Sequence, residues 1–251
     1  MDLRPLWLAG RLLTRLPFPE PSPFEARLSG LSVPWYPAIG GLLGVLLTLA
    51  ATALASVDPG VAAALVLILW VWSTGALHLD GLADSADAWV GGLASRERTL
   101  EIMKDPRCGP AAVTAIGLVL IAKWAGLQAL IAGGTVWILL LIPLLARAQL
   151  PLLMLTTPYA RDRGMASEQM AQLPRRAAWA ATLIAGIACI AIAGWIGLGL
   201  CAVTLLVFGL SRRTMMNRIE GFTGDTAGAL VEITETVLLL VVVVLSAVFT
   251  P

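Results

Sequence analysis

Between the arginine pairs Arg175-Arg176 and Arg212-Arg213 the chain reads AAWAATLIAGIACIAIAGWIGLGLCAVTLLVFGLS, from Ala177 to Ser211, without one charged side chain. As a single helix rising 1.5 Å per residue this run would extend about 50 Å, against roughly 30 Å of hydrocarbon in a bilayer. It therefore divides at its apolar centre, Gly194-Trp195-Ile196-Gly197, into two short spans. The rest of the chain agrees. Hydrophobic residues make up 58% of its 251 residues and charged residues 13%, with a mean hydropathy of +0.86; a soluble domain is about a quarter charged. So little polar surface cannot cover a globule of this size in water, and the excess apolar surface must face lipid. The expected fold is an all-α, polytopic integral membrane protein, a single domain over 1–251.

Counting runs of about 20 apolar residues gives seven expected spans: 38–57, 60–79, 110–132, 135–157, 178–194, 195–210 and 228–250. Ahead of them, the apolar stretch Leu6 to Leu16, with Arg4 just before it and Arg11 and Arg15 within it at helical spacing, reads as an amphipathic helix lying on the membrane surface. Pro17, Pro19, Pro21 and Pro23 then make an extended linker. Gly40 and Gly44 form a GxxxG that admits a close helix neighbour. Arginines and lysines test the parse independently. Arg4, Arg11, Arg15 and Arg27, then Arg96, Arg98, Lys104 and Arg107, then Arg161, Arg163, Arg175 and Arg176, then Arg212, Arg213 and Arg218 all fall on one side. The opposite turns, near 58–59, 133–134 and 194–197, have none. The positive-inside rule makes the basic side cytoplasmic, with the N-terminus inside and the C-terminus outside. A formal net charge of +1 excludes a strongly basic nucleic-acid binder. Cys108, Cys189 and Cys201 offer no CxxC, hence no disulfide framework or zinc site.

Chemistry concentrates where the second span meets that side, at His78-Leu79-Asp80-Gly81-Leu82-Ala83-Asp84-Ser85-Ala86-Asp87. On a continuing helix Asp80, Asp84 and Asp87 fall at i, i+4 and i+7, within an arc of about 60°. Three carboxylates on one face repel unless a cation neutralises them, and oxygen-only ligands suit a hard ion such as Mg²⁺. His78, the only histidine, lies about 200° away on a regular helix unless Gly81 bends it; it is carried as a catalytic candidate beside a structural hydrogen-bonding role. Lys104 and Arg107 in the following loop could hold phosphate oxygens, or simply flank a span.

Inside the membrane, Lys123 and Arg147 stand at span depth, where a charge needs a partner or a cavity; both are expected to contact substrate or an acid. The last constellation is Thr223-Gly224-Asp225-Thr226-Ala227-Gly228, then Glu232 and Glu235. Asp225 could be merely a helix cap, but the two acids one and two turns further in point to a second wall of the same site. Asp225 or Glu232 is expected to share a metal with the Asp80 cluster, and Glu235 to partner Lys123 or Arg147.

Taken together, Leu13-Thr14-Arg15-Leu16-Pro17, the His78 to Asp87 run, Arg96-Glu97-Arg98, Ile102-Met103-Lys104-Asp105 and Thr223-Gly224-Asp225-Thr226-Ala227-Gly228-Ala229 resemble the cobalamin synthase family, the adenosylcobinamide-GDP ribazoletransferases of the prokaryotic inner membrane. The motifs cover nearly the whole chain, in order. One departure is Pro106-Arg107-Cys108, where the family usually has a serine, an arginine and an aliphatic residue. The resemblance implies Mg²⁺-dependent transfer of phosphocobinamide from adenosylcobinamide-GDP to α-ribazole or its 5′-phosphate, with release of GMP. From the constellations above, the expected catalytic residues are Asp80, Asp84, Asp87 and His78, and the expected substrate contacts Lys104, Asp105, Arg107, Lys123, Arg147, Thr223, Gly224 and Asp225. Asp80, Asp84, Asp87, Asp225 and Glu232 are the expected metal ligands. Rival readings are another aspartate-rich membrane phosphotransferase, a prenyltransferase, which would want a second aspartate-rich motif, or a cation-coupled transporter, whose acids would sit nearer the midplane.

Overall fold

A computed structural model describes residues 2–249 apart from Phe24, Ala94 and Arg163. Arg163 of the charge pattern and the end of the expected 228–250 span therefore lie outside the described residues. The described chain is helical throughout, with helices α1 (Arg4–Leu13), α2 (Ala26–Ser32), α3 (Tyr36–Ala53), α4 (Pro59–Thr74), α5 (Leu77–Gly91), α6 (Arg96–Ile102), α7 (Pro110–Ala132), α8 (Leu141–Thr156), α9 (Met165–Ala171), α10 (Arg175–Ile219) and α11 (Gly224–Phe249).

The central helix is α8. In an 18-residue apolar stretch of its segment from Val136, which begins as a 3₁₀ turn, 89% of the residues are buried, against 22% in the matching stretch of α10. Gly40 and Gly44 of α3 make the closest approach to it. A Cβ at either would lie 2.3 Å from the Pro143 carbonyl oxygen or 2.4 Å from that of Leu140, so only glycine lets the two backbones meet. Around this seam Leu43, Leu47, Val66, Trp70, Leu127 and Leu139 form a continuous core. The outward faces are apolar as well: Ile68 and Trp72 on α4, Ile121 on α7 and Leu206 on α10 are all more than 60% exposed. Such faces require lipid. This is a multi-pass membrane protein.

By length and apolarity five helices can cross a membrane, or six if the bent pair α4 and α5 is one span, with α10 counted once. The expected 60–79 span ends at Thr74. Gly75 and Ala76 both adopt left-handed backbone (φ 60° and 57°), and α5 leaves α4 at 86°. Glycine tolerates that conformation, whereas Ala76 carries a cost of about 1–2 kcal/mol. The two short spans expected through 178–210 are the two legs of α10, parted by a non-helical Gly194 (φ 55°, ψ −126°) where the sequence divides them. Its legs fold back on each other: the Cys201 thiol lies 3.7 Å from the Gly186 carbonyl oxygen, and that of Cys189 lies 3.6 Å from Gly197. The second leg runs on to Ile219 rather than stopping at 210.

The amphipathic N-terminal helix exists but ends at Leu13. The Thr14 hydroxyl donates to the Gly10 carbonyl at 2.7 Å, and the Arg15 amide donates to Ser73 at the end of α4. Arg4 pairs with Asp2 and Glu25, so only part of its cationic face is free for lipid headgroups. The basic residues elsewhere staple the loops together at one end of the bundle. Arg96 donates to the carbonyls of Ala160 and Ile219, Arg212 to that of Thr156, and Arg218 to that of Trp89. The carbonyls of Ile219, Thr156 and Trp89 lie at helix ends, where they have no intrahelical partner and where a cation is also favoured by the helix dipole.

Candidate functional site

After the break at Gly75-Ala76, α5 runs across that end of the bundle, outside the spanning segments, and packs on the first turns of α11. Gly81 makes the contact: a Cβ there would stand 2.6 Å from the Asp225 carbonyl oxygen. Gly228 faces it, where a Cβ would stand 3.3–3.4 Å from the backbone of His78 and Gly81, a tighter fit than most side chains make. Two glycines thus bring the aspartate helix and the Thr223 to Gly228 turn together. Alanine at Gly81 must push α11 away, at a cost of about 1–3 kcal/mol, and should cut activity by more than its effect on thermal stability alone would. Gly117→Ala, at a helical glycine with open space around it, should leave both unchanged, and measuring the pair side by side checks the assignment.

At the start of α11, Thr223 and Thr226 cap reciprocally. The Thr223 amide donates to the Thr226 hydroxyl oxygen at 2.9 Å and the Thr226 amide to that of Thr223 at 3.2 Å. Thr223 therefore does the capping for which Asp225 was a candidate, and is buried there rather than open to a substrate. Asp225 is left to accept from Arg161 at 2.7 Å. Arg161 is brought in by a short bridge, Tyr159 to Phe222, in which the Ala160 amide donates to Phe222 and the Phe222 amide to Pro158. Nothing local in the sequence marks Arg161 or Tyr159; only the positive-inside count noticed the arginine, because the bridge joins residues about 60 apart.

The three α5 aspartates have different duties. Asp80 is exposed and lines both of two clefts. The first, of about 320 Å³, is walled by Leu13, Tyr36, His78, Tyr159, Arg161 and Asp225; the second, of about 330 Å³, by Asp84, Asp87, Arg107, Cys108 and Ile116. Asp84 is half-buried, and its carboxyl is pushed up to about 6 by burial first and then by the charges of Asp225 and Asp80. Asp87 is already committed. Its oxygens accept the amides of Gly109 (2.5 Å) and Ala112 (2.9 Å), which tie the start of α7 to α5. Asp105 and Arg107 pair with each other at 2.5 Å on the surface, and that contact holds Asp105 at about 2. Lys104 is exposed and is not among the residues lining either cleft.

Lys123, Arg147 and Glu232, three of the expected substrate or metal contacts, lie deeper. Lys123 Nζ reaches Glu232 at 2.6 Å and Glu235 at 2.5 Å, and rests 4.5 Å from the Trp70 ring centroid. Arg147 pairs with Glu235. Every one of these four residues is under 5% exposed. Lys123 and Arg147 thus meet acids, one of the two kinds of partner expected of them, while Glu232 answers Lys123 rather than the α5 aspartates. The expected partnership of Glu235 with Lys123 and Arg147 is present. Two cations and two carboxylates balance in charge, the condition under which ions survive inside a membrane.

Among the described residues no three acidic, histidine or cysteine side chains stand close enough to hold an ion as they are. The chemistry of the donor set still suits one. Asp80 and Asp84 are acceptor-only groups, Asp225 joins them across the Gly81 contact, and at Asp84 the charges of Asp225 and Asp80 add to burial in pushing the carboxyl up. Arg161, whose buried Nε has no partner, lines the first cleft with Asp80 and Asp225.

Residues 5–243 match the family described as cobalamin-5-phosphate synthase. The adenosylcobinamide-GDP ribazoletransferase of Pseudomonas paraeruginosa is 50% identical over 243 residues, covering 94% of this chain and 96% of the relative. Its namesakes from Pseudomonas aeruginosa (49%, with the same coverage) and Ectopseudomonas mendocina (47%, covering 93% and 96%) are similarly near. No solved structure matches the chain.

Proposed function

The chain belongs to the cobalamin-5-phosphate synthase family, and we propose that it is an Mg²⁺-dependent adenosylcobinamide-GDP ribazoletransferase acting on α-ribazole or α-ribazole 5′-phosphate. The observation that carries this reading is the meeting of Asp80, Asp225 and Arg161 around the first cleft, with Asp84 one turn along α5 from Asp80 in the adjoining second cleft and within reach of the Asp80 and Asp225 charges. In the reaction an acceptor hydroxyl oxygen forms a bond to the phosphorus bearing cobinamide, the bond from that phosphorus to GMP breaks, and the hydroxyl proton is released. Such transfers ask a protein for positioning and charge more than for covalent chemistry.

Asp80, Asp84 and Asp225 would hold Mg²⁺, which when bound offsets the diphosphate charge and stabilises the departing GMP. Arg161 supplies a fork for phosphate oxygens, steadied by Asp225. Asp87 keeps the loop from Asp105 to Gly109 against α5 through the amides it accepts, and so shapes the second cleft. Tyr159 and Phe222, packed edge to face with centroids 5.4 Å apart, give the first cleft a rigid aromatic wall suited to a flat ring such as benzimidazole.

The basic residues gathered at the site's end of the bundle support a cytoplasmic site in the cell's inner membrane. One assay tests activity and orientation together. Inside-out vesicles given adenosylcobinamide-GDP, α-ribazole 5′-phosphate and Mg²⁺ should release GMP, and right-side-out vesicles, which these charged substrates do not enter, should not. No GMP from solubilised protein would overturn the activity, and GMP from intact right-side-out vesicles alone would overturn the orientation.

A further inference from the structure

We propose that the buried pair of Arg147 and Glu235 fixes His78 in one tautomer, as a hydrogen-bond donor that presents Nε2–H to the first cleft. His78 opens α5, is 3% exposed, and lines that cleft beside Asp80 and Tyr159. Its Nδ1 lies 3.4 Å from Nη2 of Arg147. A guanidinium nitrogen only donates, so Nδ1 accepts and the ring proton resides on Nε2. The other tautomer would set an N–H against an N–H.

Nothing in the surroundings lets this arrangement relax. Arg147, on α8, has its Nη1 on Glu235 of α11. Glu235 is held in turn by Lys123 of α7, which also grips Glu232. A Cβ at Gly228 would stand 3.3 Å from the His78 backbone, so α11 packs closely on the start of α5 beside the ring. The groups facing the imidazole are therefore Arg147, Glu235 and, further off, Lys123, from three separate helices. Which nitrogen of a histidine carries the proton is set by the bond the other one makes. Here that bond is made from inside the membrane core, so the network that neutralises the buried charges also decides the chemistry offered at the cleft. His78 is a donor to a substrate oxygen or ring nitrogen; Arg147 and Glu235 are positioning residues. This role differs from that of a proton-abstracting base, and it extends the proposed transferase site without depending on which acceptor is used.

The chain has one histidine, so ¹⁵N-histidine labelling of the full-length protein in nanodiscs reports this residue alone. The expected spectrum has a protonated, pyrrole-type Nε2 and an unprotonated, pyridine-type Nδ1. Protonated Nδ1, on a neutral or a charged ring, would overturn the proposal, and this readout needs no active enzyme. Arg147→Lys, which keeps a donor, should retain the pattern; Arg147→Met should let the Nδ1–H form appear, and a spectrum indifferent to Arg147→Met would reject the positioning role. In the GMP-release assay, His78→Gln, whose amide keeps a donor near the Nε2 position, should exceed His78→Leu by about 10-fold, the worth of one hydrogen bond near 1.4 kcal/mol. Equal losses in the two would rule out donation to substrate.

Discussion

Asp84→Ala is expected to lower GMP release by at least about 100-fold while the protein still inserts and keeps its thermal stability. The residue is surrounded by Asp80, Asp87 and Asp225 charges, so removing it relieves repulsion in the empty protein and deletes a cation ligand in the working one. Asp87 should behave in the opposite way. Its two oxygens are already taken by the amides of Gly109 and Ala112, and Asp87→Asn leaves one of them without its acceptor, costing about 1–3 kcal/mol of stability and less activity than Asp84→Ala. Unfolding curves and GMP release measured on both variants separate a cation ligand from a loop tether. Equal loss of activity with unchanged stability in the two would return Asp87 to the metal site.

The second large effect lies in the membrane interior. Glu235→Ala leaves Lys123 and Arg147 facing a single carboxylate, Glu232, and an uncompensated buried charge of this kind costs about 3–5 kcal/mol. Lys123→Met should be costly for the same reason. The pair Lys123→Met with Glu232→Leu removes one charge of each sign and leaves Arg147 with Glu235, so the double variant should unfold at a higher temperature than Lys123→Met alone. A double-mutant cycle on unfolding in detergent gives the coupling directly. Additive losses would mean that the 2.6 Å contact of Lys123 with Glu232 contributes nothing to holding α7 against α11.

Much of this architecture was legible in the sequence because lipid imposes a coarse rule. Apolar run length and the one-sided arginines marked the helices and the end of the bundle carrying the site, and Gly40 with Gly44 marked the α3 and α8 seam. What escaped were features set by non-local contacts. Composition does not distinguish a straight continuation at Gly75-Ala76 from an 86° turn, since the left-handed alanine is stabilised only by what surrounds it. The three aspartates share one face of α5 as their spacing requires, yet only the fold shows that α7 has claimed one of them. Glu235 could be matched with Lys123 and Arg147 because buried charges must balance, whereas Glu232, a turn away, was given to the metal when its nearer partner was the lysine. Arg161 was invisible as a site residue because its place depends on the bridge between Tyr159 and Phe222.

The central claim is that α5 and the first turn of α11 are two walls of one cation site, brought together at Gly81. Mn²⁺, which accepts the same oxygen ligands as Mg²⁺, can report this by its paramagnetic resonance as it is titrated into the purified protein. The account predicts saturable binding that both Asp84→Asn and Asp225→Asn weaken by at least about 10-fold. Undiminished Mn²⁺ affinity after either substitution would contradict it.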